Sequence, residues 1–338
     1  MRAWPCVLLL ALLPGTPVSG QGVTPFGPLP APTWTSGDYG GPSPWLAPAP
    51  DAGEGRFASN RKFPNFIGWM SDPFENIDPR SLTQIQPIFG SFWLNTTQAL
   101  PDANFQLYGP PISVALTDRL CVGVNQGGYA VIHGDRADPR GPLRDRLART
   151  RGQEFGGTRE GFLNVGAFAQ YTLIEDAESQ FLLTGGLRVI APCGAREVFQ
   201  GFGPAQLAPY LTFGKELGQF HVLGTLGYQF PVGGGADHIN AFNFNVHLDR
   251  QCFGWLYPLV ELNTIYHTEA VDFDLPTRRG FADFGNFASS GNIVTLAAGA
   301  NAVLVRDRLE LGAVYTTVLA SQRNFDLNGL LVKLTLRF

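Results

Sequence analysis

The last nine residues, Leu330 to Phe338, alternate strictly. Leu330, Val332, Leu334, Leu336 and Phe338 share one side of an extended chain, and Lys333, Thr335 and Arg337 share the other. A strand with one apolar and one charged face has two homes. It is either a half-buried strand of an ordinary sheet or a piece of wall between hydrocarbon and a watery interior. The remainder of the chain has to choose between them.

Composition narrows the choice. Charged residues make up 15% of the 338 positions, against about 25% in a typical soluble domain. Gly is frequent at 41, and Phe at 26 outnumbers Tyr and Trp together at 9 and 6. Mean hydropathy is nevertheless only +0.01, and no apolar run beyond the first residues approaches the length of a membrane helix. Alternation of lipid-facing and interior-facing residues yields this average, because every second residue is polar or small. The net charge of −4 gives no reason to expect a nucleic-acid partner.

The amino terminus speaks to compartment. Arg2 precedes an apolar core from Val7 to Leu13, too short to span a bilayer, and Val18-Ser19-Gly20 supplies small residues before Gln21. Residues 1–20 therefore read as a secretory signal peptide. The mature chain keeps Cys121, Cys193 and Cys252, an odd number without close spacing, so neither a disulfide framework nor a metal site is indicated. Residues 21–62 are dense in Pro and Gly, as in Pro25-Phe26-Gly27-Pro28, and read as a disordered periplasmic arm. Residues 63–82 differ. Phe66, Ile67, Trp69, Met70 and Phe74 are interleaved with Asp72-Pro73, Asp78-Pro79 and Arg80, which suits either a pre-barrel segment packed at the rim or a plug entering the lumen.

From residue 83 to 338 the chain divides into about twelve strands, near 83–95, 105–117, 119–131, 159–173, 179–190, 204–214, 217–230, 239–249, 254–267, 291–305, 308–319 and 327–338. Connections alternate in length. Short turns fall at Asp118-Arg119, Glu175 to Glu178, Lys215-Glu216, Arg250 to Phe253 and Arg306-Asp307, with longer loops between them at 132–158, 191–203 and 268–290. A soluble sandwich has no reason to sort its loops by parity, whereas outer-membrane barrels do. Faces sort as well. Phe242, Phe244, Val246 and Leu248 oppose Asn243, Asn245, His247 and Asp249, and Leu256, Val260, Leu262 and Tyr266 oppose Glu261, Asn263 and His267. The first strand, around Ile85 to Leu94, is ambiguous in phase, and so is Pro110-Pro111. Trp255, Tyr257, Tyr266, Tyr228, Phe230 and Tyr315 are placed for interfacial aromatic girdles.

On these residues the chain resembles the bacterial outer-membrane β-barrels over Thr83 to Phe338. Its end is similar to the C-terminal signal read by the barrel assembly machinery, matched by Phe338, Leu336, Leu334, Val332 and Leu330. Lys333 stands where one common version of that signal has Gly, and Leu336 where it often has an aromatic. In size and strand number the chain is also similar to the transporter family associated with meta-pathway phenol degradation. The resemblance implies an all-β, transmembrane, antiparallel up-and-down barrel in the bacterial outer membrane, with membrane lipid and the assembly machinery as partners.

Function then rests on what lines the interior. The inward candidates are Glu160, Arg188, His221, Asn243, Asn245, His247, Asp249, Glu261, Asn263, Asn301, Lys333 and Arg337, a mixture of both signs with no basic or acidic funnel. This suits weakly selective passage of small solutes, including apolar ones, and implies no cofactor. A closed barrel serving structure, adhesion or anchoring is the alternative. His221 and His247, with Asp249 nearby, read either as a metal or proton site or, more simply, as solvated lumen residues. Twelve-stranded outer-membrane phospholipases use a His, a Ser and an Asn. His133 and His267 sit at strand ends here, but Asp135 and Glu269 occupy the positions two residues on, so no catalytic residue is assigned. The loop 135–151 reads as a charged cap. The aromatics and carboxylates of 268–290 match no calcium loop.

Overall fold

The computed structural model describes residues 57, 59–94, 104–134, 157–198, 200–201, 204–233, 240–269, 292–321 and 327–338, all within the compact unit Pro42–Phe338. The signal peptide expected over 1–20, the arm as far as residue 56, the loop 135–151 and nearly all of 268–290 lie outside the described residues.

Twelve antiparallel strands close on themselves. They are β1 (Gln84–Ile85 and Ile88–Leu94), β2 (Asn104–Gly109 and Ile112–Ala115), β3 (Leu120–Gln126 and Tyr129–Gly134), β4 (Gly157–Phe162 and Val165–Asp176), β5 (Phe181–Ala191), β6 (Gln206–Leu217), β7 (Phe220–Pro231), β8 (Asn240–Arg250), β9 (Leu256–Glu269), β10 (Ile293–Val305), β11 (Leu309–Ser321) and β12 (Leu327–Arg337). Each pairs with the next, and β12 returns to β1 through Ile85↔Leu336 and Val332↔Phe89. Closure removes the free edges that an open sheet would expose.

Connections 116–119, 177–180, 218–219, 251–255 and 306–308 gather at one end of the barrel, and the longer ones gather at the other. We call these the turn end and the loop end. One turn differs from expectation: Lys215 and Glu216 remain in β6, paired with Val222 and His221, and the chain reverses at Gly218-Gln219. Charge at a strand end facing water is no obstacle to continuing the ladder.

The first four strands are each broken once, at Gln86-Pro87, Pro110-Pro111, Gly127-Gly128 and Leu163-Asn164. The breaks line up into a seam. Proline lacks the ladder donor, and Gly128, at φ 127°, holds a conformation that L residues rarely adopt. A Cβ there would meet the Tyr108 carbonyl oxygen at 2.0 Å. Across the seam Gln86 N–H donates to the Pro111 carbonyl at 2.8 Å and Leu163 N–H to the Gly128 carbonyl at 3.0 Å. The seam explains why phase was ambiguous in this part of the sequence, since a break resets which residues face inward.

Faces are inverted relative to a water-soluble protein. Phe242, Phe244, Leu248, Val260, Leu226 and Leu330 are exposed on the outside, whereas Asn243, Asn245, His247, Asp249, Glu261 and Asn263 are buried inside. Trp255, Tyr228, Tyr266 and Tyr315 are likewise on the outer surface and Phe230 is half-buried. Tyr257 is a correction to the girdle: it shares the phase of Glu261, is 2% exposed, and accepts a hydrogen bond from Gln251 at 2.8 Å inside the barrel.

Candidate functional site

A barrel of twelve strands has an interior that must be either hydrated or filled. Here residues 59–82 run through it as a hairpin-like loop. Asn60 N–H donates to the Ser81 carbonyl at 2.8 Å, so the two limbs start and finish side by side. Both are tied to the turn end. Asn60 reaches the Asp118 carbonyl at 3.1 Å, Lys62 bonds Glu175, and Ser81 Oγ donates to the Thr117 carbonyl at 2.7 Å. The reversal is made at Asp72-Pro73, where Glu75 N–H and Asn76 N–H both donate to the Asp72 carbonyl, at 3.2 and 3.1 Å. Asp-Pro followed by polar residues is ordinary turn chemistry.

The outgoing limb is fixed by apolar packing. Phe63, Phe66 and Trp69 form one buried cluster with Leu182 of β5 and Leu223 of β7. Ile67 and Met70 join a second, with Tyr257, Leu259, Val314 and Leu331. These strand residues occupy inward positions, where a water-filled lumen would make them costly. Burial of each such side chain stabilises by roughly 1.5–3 kcal/mol, so the loop and wall supply one another with apolar surface. Gly68 makes the limb possible: its φ of 73° and a Cβ position 2.5 Å from the Asp78 carboxylate leave no room for a side chain.

Polar bonds fix the tip and the returning limb. Glu261 of β9 accepts the N–H of Met70 at 2.7 Å, and also the N–H and hydroxyl of Ser71. Lys333 of β12 donates to the Trp69 carbonyl. Asn263 donates to Ser71 Oγ at 2.7 Å, and Asn76 is held by Asn245 at 2.7 Å and Asn263 at 2.9 Å. Arg188 pairs with Glu75 at 2.5 Å. Thr184 donates to the Pro79 carbonyl at 2.6 Å, and Gln170 donates to the carbonyls of Asp78 and Arg80 at 2.9 and 3.1 Å. Buried backbone groups of a segment without secondary structure need partners. The inward polar residues of the strands are those partners.

Within the segment, Arg80 and Asp78 form a buried pair, Nη2 to Oδ2 at 2.7 Å and Nε to Oδ1 at 2.9 Å. Burial pushes the Asp78 carboxyl up, but Arg80 beside it outweighs this and holds it below the usual carboxylate range. Nearer the turn end, the Glu175 hydrogen bond raises the Lys62 ammonium against a smaller effect of burial, with Asp118 adding to the rise.

Behind the Glu261 contact lies a chain of ionisable groups. His247 Nδ1 meets Glu261 at 2.6 Å and its Nε2 meets Asp249 at 2.8 Å, while the other Asp249 oxygen meets His221 Nδ1 at 2.6 Å. Both histidines are fully buried, with Trp69 edge-on to His247 and Phe66 and Tyr257 against His221. Toward the loop end, a recess of about 150 Å³ lies beside the tip, walled by Phe74, Phe92, Phe105, Leu107, Ile265 and Leu331, with Asn263 and Ser71 at its polar side. No group of three or more metal-binding side chains occurs among the described residues.

No family model matches the chain, and no curated protein matches its sequence. Solved structures do match its shape. The COG4313 outer membrane channel from Pseudomonas putida F1 superposes with a TM-score of 0.51 at 11% identity, over 79% of this chain and 98% of that one. The NanC porin gives 0.45 at 7% identity over 75% and 100%, and the β domain of the Bordetella autotransporter BrkA gives 0.43 at 15% over 76% and 100%.

The fold is that of a bacterial outer-membrane β-barrel.

On this outer-membrane barrel fold the inward candidates have definite places. Arg188, His221, Asn243, Asn245, His247, Asp249, Glu261, Asn263, Asn301, Lys333 and Arg337 all face inward and are buried. Most bind residues 59–82 or one another, and Arg337 pairs with Glu310, which also accepts from Asn301 at 3.1 Å. Glu160 is a correction. It opposes Val131 on the outer face, in phase with Thr158 and Phe162, because the break at Leu163-Asn164 shifts the phase of the first arm of β4. His221 and His247 are a second correction, being buried in a bonded chain and not solvated. Glu310 and Glu75 were missed. Glu310 lies in the inward phase of β11, but Glu75 belongs to no strand, so no periodicity marks it. The terminal residues Leu330, Val332, Leu334, Leu336 and Phe338 face outward, with Phe338 67% exposed.

Proposed function

We propose that the chain is a gated outer-membrane channel in which residues 59–82 close the lumen and small solutes, including apolar ones, pass when that segment is displaced. The observation that carries this reading is the character of the closure. The segment is held by side-chain hydrogen bonds, ion pairs and two apolar clusters, all reversible, and it enters and leaves at the same end. The apolar recess at its tip supports passage of solutes that shed water readily. In this reading the outward Leu, Phe and Tyr residues contact lipid, the turn end faces the periplasm, Leu330 to Phe338 form the signal for the assembly machinery, and no catalytic residue is required.

A closed structural barrel is the second reading, favoured by the number of strands that bond the segment. Single-channel recording of the full chain separates the two. Rare openings that become frequent with Glu261→Gln, which removes the carboxylate receiving Met70 and Ser71, support the channel. Silence in both proteins, with the barrels shown to be folded, leaves the structural role.

A further inference from the structure

His247 meets a carboxylate at each ring nitrogen, Asp249 at Nε2 and Glu261 at Nδ1. A neutral imidazole has one donor and one acceptor, so it cannot serve two ionised carboxylates. Both bonds form with ionised partners only when the ring carries a proton on each nitrogen. Glu261 in turn accepts three bonds from the tip of the segment, which is the behaviour of a carboxylate. The proton on the ring and the grip on Met70 and Ser71 are thus linked through one side chain.

We propose that protonated His247 is a latch: the proton it holds between Asp249 and Glu261 keeps residues 69–71 seated in the lumen. This rests on the gated-channel reading above and supplies its control. The line of ionisable groups extends from the latch toward the turn end. Glu216, 19% exposed at the end of β6, lies 3.9 Å from His221 Nε2, an atom with no hydrogen-bond partner among the described residues. His221 Nδ1 then meets Asp249, and Asp249 meets His247. Charged groups from several elements bear on the latch. Asp249 is on β8 with His247, Glu261 is on β9, Lys333 is on β12 and acts on Glu261, and Glu310 on β11, Asp78 of the segment and Arg337 act on Lys333. Loss of the ring proton leaves His247 a single N–H for its two buried carboxylates, so one of them meets a ring lone pair in place of a donor, while His221 still faces Asp249 and Met70 and Ser71 still donate to Glu261. That arrangement is strongly unfavourable in a dry interior, so Glu261 moves off its position and the bonds from Met70 and Ser71 are then lost.

The test is hydrogen exchange of the Met70 and Ser71 amides in the folded full-length protein, corrected for intrinsic rates, from about pH 6 to about pH 10. Protection in the wild type is expected to be steady near neutrality and to fall about tenfold or more on the alkaline side, the size of one lost charged hydrogen bond. In His247→Gln, protection is expected to be low and flat throughout. Equal protection in the two proteins at every pH overturns the proposal. A measurement without any variant stands beside it: the ring nitrogen chemical shifts of His247 near neutrality are expected to be those of an imidazolium, and a neutral ring overturns the latch. Recording conductance on the same samples separates this inference from the reading beneath it. Loss of protection with no new openings sinks the gate and keeps the latch. New openings with protection intact sink the latch and keep the gate.

Discussion

Glu261 accepts the backbone N–H of Met70 at 2.7 Å across 191 residues of chain. One carboxylate on the ninth strand thereby decides where a segment before the first strand sits. Because Glu261 is completely buried, the bond depends on charge, and charge inside a barrel is controlled by its neighbours.

The Arg80–Asp78 pair is the simplest place to test how the returning limb is held. Arg80→Ala leaves a buried carboxylate without its partner, a change that typically costs about 3–5 kcal/mol. Faster exchange of the amides across 76–82 is expected, with the barrel strands unaffected. Lys62→Ala at the turn end, where the ammonium is half exposed, is expected to cost under about 1 kcal/mol.

The sign of the acid response follows from Asp78. Its carboxyl lies below the ordinary value, so the stabilisation it gives is present above the unfolded value near 4 and is lost as pH falls through the folded one. Protection of 76–82 is therefore expected to hold from neutrality down to about pH 4 and to decline below it. Asp78→Asn is expected to be weaker at neutral pH and to show a smaller acid step, which the same exchange measurement reads.

Met70 and Gly312 test the seat of the tip. A Cβ at Gly312 would stand 2.4 Å from Met70 Cε, so Gly312→Val is expected to push the tip out of place, at about 1–3 kcal/mol for overpacking. Met70→Ala alone leaves a cavity and is also destabilising. The double variant is expected to recover part of both losses, and a double-mutant cycle on segment protection measures the recovery.

Much of the wall is legible in the sequence. Strict alternation in β8 and β12 and the parity of the connections give strand number, direction and face, because a barrel wall demands period two everywhere. Phase fails at Glu160 and around Pro110-Pro111 because the seam breaks the ladder, and a break carries no periodic signature. Tyr257 could have been placed, since it shares the phase of Glu261. The interior is harder to read. One signal was present: Leu182, Leu223, Leu259, Val314 and Leu331 sit in inward phase, where a hydrated lumen has no use for them, and Phe63 to Met70 is a matching apolar stretch. Which carboxylate meets which backbone N–H is a property of three-dimensional register alone.

The outer surface carries its own test. Phe244 is exposed in the middle of β8, opposite Leu226. Against hydrocarbon, Phe244→Arg is expected to cost about 2–4 kcal/mol and to reduce the folded, membrane-inserted fraction, whereas Asn245→Arg acts on the interior. Folding into lipid vesicles, followed by denaturant titration, compares the two.

Closure of the lumen by residues 59–82 is tested most directly by tethering the tip to the wall. Ser71 and Asn263 are in hydrogen-bond contact at 2.7 Å, so Ser71→Cys with Asn263→Cys, in a chain whose Cys121, Cys193 and Cys252 are replaced by Ser, places a removable link there. With the disulfide confirmed by mass spectrometry, single-channel recording is expected to show a silent barrel when oxidised and openings after reduction. Openings of the same size and frequency in both states would contradict a lumen closed by this segment.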